Sequence, residues 1–108
     1  MSDLTRLSVW IDDHNIDKNP DLQLWERIGK IGEEFGETIA ALIGYLGQNP
    51  RKGVTHTLGD IQKELLDVAV TALGAHEHVT GNHGFTEDAF KAHLAAVVLR
   101  AGMGGDDE

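Results

Sequence analysis

The sequence contains no cysteine, which excludes disulfide bonds, zinc–thiolate sites and cysteine nucleophiles. It also lacks any apolar run near the ~18 residues that span a bilayer. Its first residues show no basic segment followed by an apolar one, the pattern of a secretory signal. We therefore expect a cytoplasmic protein without a membrane partner.

Basic residues are scarce. Nine lysines and arginines stand against eighteen acidic residues, and the formal net charge is −9. Such a charge argues against general binding to nucleic acid or to anionic membrane surfaces. A phosphate-bearing ligand would need a metal ion or a local basic cluster.

The sequence has 108 residues, enough for one domain with one small core. We predict a single helical domain over residues 1–101. Residues 102–108 are glycine-rich and acidic, and we expect a disordered tail there.

Helical periodicity of apolar residues and local capping signals predict four helices, over residues 4–14, 20–46, 58–79 and 86–100. Asn19 and Pro20 suit the start of the second helix and Gly47 its end, while Thr57 suits the start of the third. No strand pattern is present, so the predicted fold class is all-α.

The third predicted helix is apolar around most of its circumference. A helix of that kind must be buried on several sides, and four short helices cannot cover it within one chain. We therefore expect self-association as a homo-oligomer, either a dimer or a tetramer.

Acidic residues interrupt the two central helices. Glu33, Glu34 and Glu37 lie close together on the second helix, and Glu64 and Asp67 are three residues apart on the third. Like charges at helical spacing repel by ~0.2–0.5 kcal/mol per pair on an exposed helix, and by more where water is excluded. Two such groups on packed helices would form an oxygen-rich site for a hard divalent cation.

The pattern Glu33-Glu34-x-x-Glu37, a spacer of 26 residues and then Glu64-x-x-Asp67 resembles the signature of the MazG-type all-α nucleoside triphosphate pyrophosphohydrolases. The resemblance covers residues 24–100. It implies a four-helix subunit working as a dimer or tetramer, and magnesium-dependent hydrolysis between the α and β phosphates, with manganese as a substitute ion.

The resemblance also assigns roles to the five acidic residues, all of which become catalytic candidates. Glu34, Glu37, Glu64 and Asp67 match the family's metal ligands. Glu33 would serve a second metal or orient the attacking water.

Additional phosphate contacts require basic side chains. The candidates for substrate binding are Lys30, Arg51, Lys52, Lys91 and Arg100. Lys30 is the best of them because it lies one helical turn before Glu34.

Several alternatives stay open at this stage. Within the same enzyme class the substrate could be dUTP, dCTP or phosphoribosyl-ATP. A protein of another class, a non-catalytic helical interaction protein with a solvated acidic stripe, would share the same composition. His76 and His78 point in different directions on a helix and cannot chelate one metal ion together.

Overall fold

The computed structural model describes residues 1–103. Within them the chain forms four α-helices and no strand: α1 (Asp3–Asp13), α2 (Pro20–Leu46), α3 (Leu58–Val79) and α4 (Thr86–Arg100). The all-α prediction and the predicted helix boundaries are confirmed to within about one residue. Most of the predicted tail lies outside the described residues.

Local capping explains where the helices begin and end. At the start of α2 the side chain of Asn19 accepts a hydrogen bond from the amide of Leu22. Gly47, at a φ of 65°, is the C-cap of the same helix. Thr57 and Asp60 form a reciprocal capping box at the start of α3. These signals are local, which is why the sequence reveals them.

α2 and α3 form an antiparallel pair. Arg27 donates to the carbonyl of Gly74 near one end, and the carbonyl of Gly44 accepts the amide of Thr55 near the other. α1 packs on α3, whereas α4 packs on α3 only sparsely. The arrangement is flat, with extents of 51 × 47 × 22 Å.

The interior of the single chain is lined by small and polar residues. Ala41 and Ala75 are its buried apolar side chains among the described residues. The other buried positions are Thr5, Ser8, Arg27, Thr38, Gly44, Gly74, Glu77 and Thr86. Helices with small residues at their contact approach closely, so the large apolar side chains lie elsewhere.

Most large apolar residues are exposed in the single chain, including Trp25, Ile28 and Phe35 on α2 and Leu65 and Leu66 on α3. The large apolar stripe of α2 therefore does not face α3. The side that does face α3 carries Arg27, Thr38 and Ala41. Across residues 1–103, none of the helices combines the length and the apolar character that a bilayer crossing requires.

Candidate metal centre

Three carboxylates from the two central helices meet at the α2–α3 contact. One oxygen from each of Glu34, Glu37 and Glu64 lies within 4.8 Å of the others. Glu34 and Glu37 are one turn apart on α2, and the antiparallel packing places Glu64 of α3 beside them. Three hard oxygen donors at this separation match the chemistry of a Mg²⁺ or Mn²⁺ site.

The negative charges of the cluster are only partly compensated, since the nearest lysine nitrogens lie 3.6 Å from Glu34 and 4.0 Å from Glu64. The negative charge of Glu34, followed by partial burial and the charge of Glu64, raises the pKa of Glu37 above its ordinary value of 4.5. Glu64 Oε1 is buried and accepts no hydrogen bond from any of residues 1–103. A buried carboxylate oxygen without a donor is costly, and a bound cation would satisfy it. The residues present therefore fit a divalent metal ion.

Two lysines border the cluster, Lys30 on α2 and Lys63 on α3. Lys63 Nζ lies 4.0 Å from Glu64 Oε2. Lys30 Nζ lies 2.9 Å from Glu33 Oε1 and 3.6 Å from Glu34 Oε2. The acceptor Glu33 raises the pKa of Lys30 above its ordinary value of 10.5. Lys30 thus stands beside the acids, as the sequence predicts, although in this structure it is paired with them.

Asp67 and Glu33 are adjacent to the cluster but not among its three converging oxygens. Asp67 Oδ2 pairs with Lys63 Nζ at 3.2 Å, and Glu33 pairs with Lys30. Both ion pairs are solvent-exposed, and pairs of this kind contribute only about 0–1 kcal/mol. Little free energy would therefore be lost if either carboxylate turned toward a cation at the cluster.

The other four predicted phosphate-binding residues share one property. Within residues 1–103 they are the basic side chains that form no ion pair with a carboxylate. Arg51 and Lys52 lie in the loop between α2 and α3, where Lys52 lines a cavity of about 270 Å³ with Asn49 and His56. Lys91 and Arg100 are exposed on α4. The structure does not bring any of these four side chains to the three carboxylates.

A second polar network, centred on Asp12, was not apparent in the sequence. Asp12 Oδ1 accepts Arg27 Nη2 at 2.9 Å and lies 2.8 Å from His78 Nδ1, while Asp12 Oδ2 accepts Asn82 Nδ2 at 2.8 Å. Burial acts to raise the pKa of Asp12, but the hydrogen bonds from His78, Asn82 and Arg27 lower it by more, below 3.8. The network joins α1, α2 and α3. No spacing signal in the sequence links these four residues.

Glu77 is a fully buried carboxylate between α1, α3 and α4. Its Oε2 accepts the hydroxyl of Thr5 at 2.8 Å and the amide of Gly84 at 2.7 Å. Burial opposes ionisation of Glu77, but the hydroxyls of Thr86 and Thr5 and the nearby amides hold its pKa below 4.5. Glu77 Oε1, like Glu64 Oε1, is buried without a hydrogen-bond partner within residues 1–103. The first turn of α4, which has no side-chain N-cap, begins beside this carboxylate.

The histidines do not form a joint metal site in the described part of the chain. His76 Nδ1 lies 2.7 Å from the hydroxyl of Thr86, whereas His78 contacts Asp12. The two rings point to different neighbours, in agreement with the predicted directions on a helix.

No protein-family model, curated protein or solved structure matches the chain.

Proposed function

We propose that this protein is a metal-dependent pyrophosphohydrolase. It would cleave the α–β phosphoanhydride of a nucleoside or deoxynucleoside triphosphate to give the monophosphate and pyrophosphate. The observation that carries the proposal is the convergence of Glu34, Glu37 and Glu64 within 4.8 Å from two helices. The motif resemblance adds the reaction class.

Glu34, Glu37 and Glu64 would hold Mg²⁺, with Asp67 one turn further along α3 as an additional ligand. When bound, such an ion polarises phosphoryl oxygens and lowers the pKa of a coordinated water. Glu33, on the rim of the cluster, would serve a second metal ion or orient the attacking water. Phosphoryl transfer depends mainly on positioning and charge neutralisation, so the chain needs no covalent nucleophile.

Basic side chains would complete the substrate site. Lys30 already lies at the acids and would exchange Glu33 for a phosphate oxygen, since the present ion pair is exposed and weak. Arg51, Lys52, Lys91 and Arg100 are free of carboxylate partners within residues 1–103 and are available to a polyphosphate.

Self-association is part of the same proposal. The chain exposes 7701 Å². A compact monomer of 11.7 kDa would expose roughly 5,900 Å². The excess is greater than ~1,000 Å² per chain, compared with the ~800 Å² that each partner contributes to a standard interface. The radius of gyration of 17.5 Å, against ~13 Å for a compact domain of ~100 residues, supports the same conclusion.

The test is a panel of ribonucleotides, deoxynucleotides and phosphoribosyl-ATP, assayed for pyrophosphate and orthophosphate release with Mg²⁺, with Mn²⁺ and with EDTA. We expect metal-dependent pyrophosphate release from at least one member. Release of orthophosphate from the γ position would place the cleaved bond elsewhere. Absence of turnover, with no effect of Mg²⁺ on thermal stability, would favour the non-catalytic interaction protein.

A further inference from the structure

α2 carries an apolar seam that the single chain leaves uncovered. Its seven positions follow each other at alternating intervals of three and four residues, the heptad spacing of paired helices. They are Trp25, Ile28, Gly32, Phe35, Ile39, Leu42 and Leu46, hereafter the α2 seam. The six large side chains are between 38% exposed, for Ile39, and 73% exposed, for Trp25.

The flank of the α2 seam that points away from α3 carries no charged residue. The flanking positions are occupied by Gly29, Gly36 and Ile43. The charged residues Glu33, Glu34 and Glu37 occupy other sides of the helix, and the α3-facing side carries Arg27, Thr38 and Ala41. About a quarter of the chain is charged, so a flank without charge over about four turns, from Gly29 to Ile43, distinguishes this side of α2 from the rest of the surface.

We propose that the α2 seam binds the α2 seam of a second copy of this chain in antiparallel orientation, about a two-fold axis that passes between residues 33 and 34. Gly32 then faces Phe35 of the second copy, Ile28 faces Ile39, and Trp25 faces Leu42. The two-fold axis repeats each of these layers, so the surface is complementary to itself. This inference rests on the self-association proposed above and identifies its surface.

The glycine at position 32 selects the antiparallel orientation. A Cβ built on Gly32 or on Gly36 would have no heavy atom within 4 Å, so both positions are open notches on the surface. Antiparallel pairing places the ring of Phe35 from each chain in the notch of the other. Parallel pairing would instead set Gly32 against Gly32 and Phe35 against Phe35, which leaves one void and one crowded layer.

The area is sufficient for a stable dimer. The five large side chains that the three layers pair (Trp25, Ile28, Phe35, Ile39 and Leu42), at roughly 100 Å² of exposed surface each, would bury about 500 Å² per chain before neighbouring residues are counted. With Leu24 and Ile43 beside the seam, the area approaches the ~800 Å² per partner of a standard interface.

Cysteine cross-linking tests the orientation, because the natural chain has no cysteine of its own. In the antiparallel pair, residue 28 of one chain lies about 17 Å along the seam from residue 28 of the other, and the same holds for residue 39. Ile28→Cys and Ile39→Cys, each oxidised alone, should therefore stay uncross-linked. An oxidised mixture of the two variants should give a covalent dimer.

Sedimentation of the full-length chain tests the surface. Phe35→Asp should convert the dimer to monomer at micromolar concentration, while Leu99→Asp, an equally drastic change at an exposed site on α4, should leave the α2 dimer intact. Circular dichroism checks that both variants keep their helices. Gly32→Leu should weaken association by at least tenfold, and Gly32→Leu combined with Phe35→Ala should restore part of it.

The outcomes separate the two proposals. A wild-type chain that is monomeric at micromolar concentration overturns self-association and the α2 seam together. A dimer that survives Phe35→Asp places the interface on another surface while self-association stands. Cross-linking of Ile28→Cys with itself overturns the antiparallel pairing.

Discussion

Arg27 Nη2 lies 2.9 Å from Asp12 Oδ1 and 2.7 Å from the backbone carbonyl of Ser8, so one buried guanidinium joins α2 to α1 twice. The Arg27 side chain is only 8% exposed and that of Asp12 is 21% exposed. Removal of one partner from such a pair leaves an uncompensated buried charge.

The first prediction follows from that pair. Asp12→Ala should lower the free energy of unfolding by about 3 kcal/mol, because Arg27 keeps its charge and loses its carboxylate. Asp13→Ala is the matched control, since Asp13 is the neighbouring residue, is exposed and forms no ion pair within residues 1–103. Denaturant unfolding at one fixed protein concentration measures both. Equal stability of the two variants would contradict a structural role for the Asp12 network.

The second prediction concerns acid unfolding. The hydrogen-bond donors around Glu77 and Asp12 hold the pKa of each below its ordinary value, 4.5 and 3.8 respectively, despite the opposing effect of burial. Ionisation of these groups therefore stabilises the fold above about pH 4.5, and the stabilisation is lost as pH falls through the folded-state pKa values.

Glu77→Gln should consequently be less stable than the parent chain at pH 7, with a shallower decline of stability below pH 4.5. Glu87→Gln, a change of the same type at an exposed residue in the first turn of α4, should cost at most ~1 kcal/mol through the helix dipole and leave most of the parent's acid slope in place. Chemical unfolding at a series of pH values gives the dependence of the unfolding free energy on pH for each variant and for the parent. A parent-like acid slope in Glu77→Gln would show that Glu77 does not control it.

The third prediction separates folding from catalysis at the carboxylate cluster. Glu37→Gln and Glu64→Gln keep side-chain shape and each remove one negative charge. Without metal, thermal stability should be unchanged or slightly higher, because the charge of Glu34 opposes ionisation of Glu37 and raises its pKa. With Mg²⁺ the order should reverse, since an ion that binds only the folded chain adds ~2.7 kcal/mol at a hundredfold excess over Kd.

The glutamine variants should lose most of that gain, and turnover should fall by at least ~100-fold because a missing ligand misplaces cation and phosphate. Glu87→Gln again serves as the control. Melting curves with and without Mg²⁺, together with pyrophosphate release, provide the measurements. If both variants keep the parent's magnesium-dependent shift and activity, the metal-site assignment is wrong.

The fourth prediction uses two glycines with opposite surroundings. A Cβ at Gly44 would collide with the ring of His56 and the hydroxyl of Thr55, whereas at Gly59 it would meet only the hydroxyl of Thr57 at 3.4 Å. Gly44→Ala should therefore destabilise the fold, and Gly59→Ala should stabilise it by up to ~1 kcal/mol through helix propensity. The denaturant midpoints of the two variants, compared with that of the parent chain, measure both changes in stability. A gain from Gly44→Ala would mean that the loop before α3 does not pack on α2 as described.

The helices and the acidic cluster could be predicted from the sequence because their signals are local. Asn19, Gly47 and Thr57 mark helix boundaries within a few residues of themselves, and the spacing from Glu34 to Glu37 fixes a common side of α2. The long α2–α3 pair then brings Glu64 to them. The roles of all five acidic residues stay predictions, and Asp67 and Glu33 are in addition each paired with a lysine in this structure.

The sequence did not allow us to predict which side of α2 packs on α3. Apolar periodicity ranks large residues such as Phe35 as interior, yet the close contact uses Ala41 and Gly44, which carry little apolar surface. The pairing of Arg27 with Asp12 is equally hidden, because it depends on how α1 folds back over α2 and α3. Sequence spacing within one helix carries no information about that crossing.

The Asp12 network also fixes the register between α2 and α3. A slide of α2 by one turn, about 5.4 Å, would carry Arg27 away from Asp12 and from the carbonyl of Gly74 and leave its charge unpaired. The same slide would move Glu34 and Glu37 one turn past Glu64. The buried arginine, which takes no part in the proposed chemistry, therefore determines which carboxylates stand opposite one another.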